Sequence, residues 1–167
     1  MDLSRSKTTS TSTSPNDKQR CQTKMKSILV DIDHTLSNAF WRDAMIGYST
    51  WDEYHLASER DEPLHDVVDI IRILRSVYSI IGITARPEKF RMMTNRWCLL
   101  HQVPLDELLM RPDELFLPAP EIKLGLINKR FINPQQEIKL ALEDREDCCN
   151  MLRGLGITVL QVFGRKV

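Results

Sequence analysis

Ile28-Leu29-Val30-Asp31-Ile32-Asp33-His34-Thr35 is an aliphatic triplet running into two acids spaced by one residue. Three branched residues bounded by charge describe a strand buried on both faces, as in parallel sheets covered by helices. The pattern recurs downstream. Residues 80–84 read as a second buried strand, 108–110 as a short one, 138–142 as a fourth and 157–162 as the last. Between them, Leu64, Val67, Val68, Ile71, Leu74 and Val77 fall at helical spacing, as do Phe90, Met93, Trp97 and Leu100. Pro87 is expected at the first position of the second of these helices, and further helices are expected over 121–131 and 146–155. Strands alternating with helices imply right-handed crossovers and an α/β sandwich of three layers with a central parallel sheet.

The chain has 167 residues, 23 basic against 23 acidic, so its formal net charge is zero. One domain is expected at this length. Zero net charge removes the simplest argument for a nucleic-acid binder, a strongly basic field, though not a local basic groove. No apolar run approaches the ~18–20 residues of a membrane span. The four cysteines show no CxxC pair, which fits a reducing, cytoplasmic setting. Residues 4–14 hold nine Ser or Thr in eleven positions, with nothing apolar between Leu3 and Met25. Such a stretch buries too little to offset its ordering entropy, so 1–24 is expected to be a disordered tail ahead of a domain over 25–167.

Ligand sites in open parallel sheets lie beyond the carboxyl ends of the strands. There the first strand delivers Asp31 and Asp33, the second Thr84-Ala85-Arg86, and the fourth Glu143-Asp144-Arg145. Carboxylates converging at one sheet end repel each other unless a cation sits among them. Oxygen ligands without a nearby Cys or His pair suit Mg²⁺ rather than zinc. Taken singly, an acid reads better as a solvated strand end or a helix cap; acids after two strands, with Thr-Ala-Arg after a third, read as a site.

Asp31-Ile32-Asp33-His34-Thr35-Leu36, Thr84, Lys123 and Glu143-Asp144 resemble the four ordered motifs of the haloacid dehalogenase (HAD) superfamily over about residues 26–163. Gly82 to Glu88, Leu109 to Asp113 and Leu140 to Arg145 are similar to the polynucleotide kinase 3′-phosphatase domain and its stand-alone relatives. His34 stands where that family most often has Gly, and Glu143 where it most often has Asp. The resemblance implies a HAD-like Rossmannoid fold in which Asp31 is a nucleophile forming an aspartyl-phosphate. It makes Asp33 the general acid and base, and Thr84 and Lys123 the clamp on phosphoryl oxygens. It gives Mg²⁺ to the Asp31 carboxylate, the Asp33 backbone carbonyl and Asp144. Thr35, Arg86, Glu143, Arg145 and Trp51 are expected on the substrate side.

Other residues carry two readings. Lys123 competes with Lys129 and Lys139 for the lysine role. Arg86 either takes a second phosphate or makes a surface ion pair with Glu88 or Glu59. Residues 37–63 fall where the superfamily inserts its caps and suffice only for a flap. Within them Trp51, Tyr54 and His55 form a base-stacking platform or merely anchor the flap. Cys148-Cys149 reads as a buried structural pair. No phosphate-binding loop of the G-x-x-x-x-G-K-[ST] type occurs, so no kinase half is present here. The expected function is a Mg²⁺-dependent phosphomonoesterase acting on nucleotide or polynucleotide 3′-phosphate ends. A general small-molecule phosphatase or 5′-nucleotidase, and a non-catalytic binding member of the fold, stand as alternatives. No membrane association is expected, and no protein partner is inferable.

Overall fold

The computed structural model describes residues 25–163; the tail expected over 1–24 lies outside them. Strand β1 (Ser27–Val30) is wholly buried, as its unbroken apolar run requires. A short antiparallel pair, β2 (Ser37–Asn38) with β3 (Glu62–Pro63), closes the insert between β1 and the next helix. The insert also holds a 3₁₀ turn over Phe40–Met45 and helix α1 (Trp51–Ala57). Thr50 and Glu53 start α1 with a reciprocal capping box. Residues 37–63 thus form a short insert of helical turns closed by a two-stranded pair.

Helix α2 (His65–Leu74) leads into β4 (Ser79–Pro87), and α3 (Arg91–Leu100) into β5 (Glu107–Arg111). Helix α4 (Ala119–Arg130) and the single turn α5 (Pro134–Glu137) precede β6 (Ile138–Glu143); α6 (Glu146–Gly154) and β7 (Val159–Gln161) follow. The five main strands run β5-β4-β1-β6-β7, all parallel, with β1 at the centre. Alternation along β1 divides the core. Ile28 and Val30 pack with Val68 and Ile71 of α2 and Trp97 and Cys98 of α3, while Leu29 packs with Ile127 of α4 and Leu152 of α6. This is the expected three-layer α/β sandwich.

Three local expectations are corrected. Pro87 ends β4 instead of opening α3, because β4 pairs with β5 as far as Pro87 and a 3₁₀ turn over Glu88–Phe90 intervenes. Val77 and Leu100 are exposed, each lying past the last full turn that packs on the sheet. The last strand shortens to three residues, since only these register with β6. Among the described residues no helix is long and apolar enough to cross a membrane.

Candidate active site

The chain leaves β1 at Asp31, whose backbone N–H still donates to Leu142 of β6 at 3.0 Å, so this side chain is fixed at the sheet end. A tight turn follows. Leu36 and Ser37 donate back to the Ile32 carbonyl, and His34 adopts a left-handed φ of 63°. That conformation favours Gly, which accounts for the residue most common there in the resembling family.

Lys123, near the start of α4, places Nζ 2.6 Å from both Asp31 Oδ1 and Glu143 Oε2, with all three buried. Lys129 and Lys139, the other two lysines considered, are exposed. Asp144, next to Glu143 at the end of β6, accepts a hydrogen bond from Thr35 Oγ1 at 3.3 Å. Carboxylate oxygens of Asp31, Glu143 and Asp144 lie within 4.8 Å of one another. Burial pushes the Asp31 carboxyl up to about 7, Lys123 opposing and Glu143 adding to the rise. Asp144 is raised to about 6 by burial and then by Asp31, and Glu143 is raised by burial as well. Lys123 is held firmly protonated: burial alone would lower it, but Asp31 and Glu143 outweigh that. One lysine thus stands among three acids, and ionising all three would leave two negative charges without a cation in the group, a repulsion that adds to burial in raising each carboxyl. A hard divalent ion fits that donor set in charge and in chemistry.

Asp33 faces a different environment. Its Oδ2 accepts from Arg86 Nε at 3.0 Å and its Oδ1 from Arg86 Nη2 at 2.7 Å, and Arg42 Nη2 also donates to Oδ1. Arg42 in turn grips Asp61 through Nε, at 3.0 and 3.1 Å, and through Nη2 at 2.8 Å. Ser37 Oγ and Trp41 Nε1 complete the shell of the buried Asp61 carboxylate. Burial works against ionisation of Asp33, but Arg86 and then Arg42 hold its carboxyl far below the usual range. Two arginines and two aspartates balance in charge. His55 lies beside them, and burial lowers it to about 4, keeping it neutral near pH 7.

Asp31, Asp33, Trp51, Thr84, Arg86, Lys123, Asp144 and Arg145 line one cavity of about 990 Å³. Thr84 sits there near the end of β4, its Oγ1 accepting from the Arg86 N–H at 3.2 Å. Three expectations for the substrate side are corrected. Arg86 is buried, and its fork is spent on Asp33 and Thr94, so neither a second phosphate nor a surface pair with Glu88 or Glu59 describes it. Thr35 is fully buried behind Asp144, and Glu143 is buried against Lys123; both support neighbours instead of facing the cavity. Arg145 is half-exposed and makes a two-point pair with Asp147. The flap aromatics divide. Tyr54 and His55 are buried anchors, Tyr54 under the Arg42 guanidinium at 4.4 Å and His55 against Phe90 at 5.4 Å, whereas Trp51 is 64% exposed.

Arg42 and Asp61 escaped the sequence reading. The only trace was an arginine set in the mostly apolar run Ala39 to Met45; Asp61 carried no local signal at all.

Comparison with known proteins agrees with this geometry. No curated protein matches the chain. Among solved structures, a chain of the Pnkp1/Rnl/Hen1 complex superposes with a TM-score of 0.70 at 23% identity, over 86% of this chain and 48% of that one. The present chain therefore spans about half the length of that relative. An L-2-haloacid dehalogenase gives 0.60 at 17% identity over 86% of each chain. A HAD-family enzyme of Bacteroides thetaiotaomicron, solved with magnesium and inorganic phosphate, gives 0.53 at 13%, over 83% and 94%. At these identities the likeness is one of fold. Residues 25–165 match the family described as the polynucleotide kinase PNKP phosphatase domain, and the chain belongs to that family of HAD phosphatases.

Proposed function

We propose that the protein is a Mg²⁺-dependent phosphomonoesterase that acts through an aspartyl-phosphate on nucleotide or polynucleotide 3′-phosphate ends. The observation that carries this reading is Asp31 at the end of the central strand, with Lys123 on its Oδ1. The other carboxylate oxygen attacks phosphorus, the P–O bond to the leaving group breaks, and Asp33 supplies the proton that the departing oxygen takes. Asp33 then accepts a proton from water, which attacks phosphorus and releases inorganic phosphate and the Asp31 carboxylate. Thr84 and Lys123 hold phosphoryl oxygens, and Arg145 is a further cation lining the cavity. Asp31, Asp144 and the Asp33 backbone carbonyl would hold Mg²⁺, which when bound neutralises phosphoryl charge. The described cysteines are free and buried, in keeping with a reducing cytoplasm.

The test is phosphate release from a 3′-phosphorylated oligonucleotide, a 5′-nucleotide, a sugar phosphate and an aryl phosphate, each with Mg²⁺ and with a chelator. The oligonucleotide should be turned over best, and only with metal. Preference for the sugar phosphate discards the polynucleotide reading, and full activity in chelator discards the metal.

A further inference from the structure

The cavity that holds the phosphoryl site is also lined by two large aromatic side chains from separate segments: Trp51 of α1, 64% exposed, and Phe116 of the β5–α4 loop, 82% exposed. Each stands on a fixed support. Trp51 meets the buried Tyr54 edge to face at 5.5 Å. Phe116 lies 5.4 Å from the Arg111 guanidinium, which itself donates to the carbonyls of Ala85 at 3.0 Å and Leu115 at 2.7 Å. One residue ties the two segments together. The Lys89 backbone N–H donates to Asp113 at 2.9 Å, and its Nζ reaches Asp52, the neighbour of Trp51, at 2.7 Å.

Polar groups flanking the two rings are therefore engaged with one another or with backbone: Asp52 and Asp113 by Lys89, and Arg111 by carbonyls. What these two segments offer a ligand is aromatic surface. Single exposed apolar residues are ordinary on a protein. Two exposed rings on one cavity, each backed by a buried or charged partner, offer a stacking surface instead. Stacking without hydrogen-bond readout accepts any base, because every base has a π face.

We infer that Trp51 and Phe116 form a base subsite, binding the terminal nucleobase of the substrate by stacking and with little discrimination between bases. This rests on the reading of the protein as a phosphatase of nucleotide or polynucleotide ends. Lys89 serves as the strut that sets the spacing of the two segments. Phosphoryl chemistry stays with the acids and Lys123, so the subsite determines which leaving group is held and not how the bond breaks.

The experiment compares two single-stranded oligonucleotides with the same 3′-phosphate and backbone charge. One ends in a normal nucleoside and the other in an abasic tetrahydrofuran residue. The wild-type kcat/KM should fall between about fivefold and a hundredfold when the base is missing, the worth of one stacked base. Phe116→Ala and Trp51→Ala should each reduce that ratio toward one, through KM on the normal end, and Phe116→Tyr should restore it. Both residues are exposed, and unchanged melting temperatures will show that the variants are folded. Equal turnover of the two ends by wild type overturns the inference while leaving a polynucleotide phosphatase in place. So does an equal loss on both ends in the variants, or a preference above about tenfold for one of the four bases. Failure of wild type on both oligonucleotides, with aryl phosphate still hydrolysed, overturns the substrate reading and the subsite together.

Discussion

Asp31 and Asp33 stand one residue apart in sequence and sit in opposite electrostatic surroundings. Around Asp31 there are two further carboxylates, Glu143 and Asp144, and one lysine, and burial lifts its carboxyl to about 7. Around Asp33 there are two arginines, with Asp61 bracing one of them, and the carboxyl is held deeply ionised. The first cluster lacks positive charge and the second is balanced in charge. A cation has something to add at Asp31 and nothing at Asp33. The same comparison sets a condition on the chemistry. Asp33 as found suits the base half of its proposed role, while the acid half requires a proton and therefore separation from at least one arginine.

The largest effect that sharpens this contrast is Asp31→Asn, expected to lower kcat by a factor on the order of 10⁴ or more in a folded protein. Residual turnover above a hundredth of wild type would move the nucleophile elsewhere. Next comes Asp33→Asn, expected to cost ~10²–10⁴ in kcat while Mg²⁺ affinity by calorimetry stays within a few fold. Loss of metal binding in that variant would make the Asp33 side chain a ligand and break the division between the clusters.

Asp61→Asn tests the second cluster by stability. It leaves the buried Arg42 short of its counter-charge, and denaturant unfolding should show a loss of about 3–5 kcal/mol. A loss below about 1 kcal/mol would mean that Asp33 alone suffices for both arginines.

The smallest effect is a pH-dependent stabilisation by metal. With folded values of about 7 for Asp31 and about 6 for Asp144, against an unfolded value near 3.9, the folded protein binds more protons between about pH 4 and 7. Stability without metal therefore falls as pH rises through that window. Asp33 has the opposite sign: its contribution is complete above about pH 4 and is lost as pH falls below it. Saturating Mg²⁺ at about 100 times its Kd should add ~2.7 kcal/mol at pH 7.5, a melting shift of roughly 5–10 °C. At pH 5 the shift should shrink because protons compete for the same oxygens. Equal shifts at both pH values, or a full shift in Asp144→Asn, would remove the first cluster as the metal site.

What the sequence reveals of this site is what strands carry. Asp31, Thr84 and Glu143-Asp144 each follow an apolar run whose direction is readable, so their convergence was legible before any coordinates. Lys123 needed the order of motifs as well, since a helical lysine looks solvated on its own. The second cluster was hidden because its pairings cross 9, 19 and 53 residues between a loop, a flap and a strand end, with no period to expose them. Arg86 was noticed, but sequence gives only a charge two residues after Thr84, without saying that an acid already engages its fork. The flap aromatics were visible as a group, and only burial separates Tyr54 and His55 from Trp51.

The contacts that close the first cluster also bear on how the chain reaches its native state. Lys123 meets Asp31 across 92 residues and Thr35 meets Asp144 across 109, and the central strand waits for β6 before both its edges are paired. Contacts this distant are slow to form, because loop closure must be met before they repay it. Helices α2 and α3 can collapse onto β1 and β4 while the catalytic end is still open. In a refolding experiment the far-ultraviolet helix signal should return ahead of phosphatase activity, which makes activity a reporter of the final strand docking.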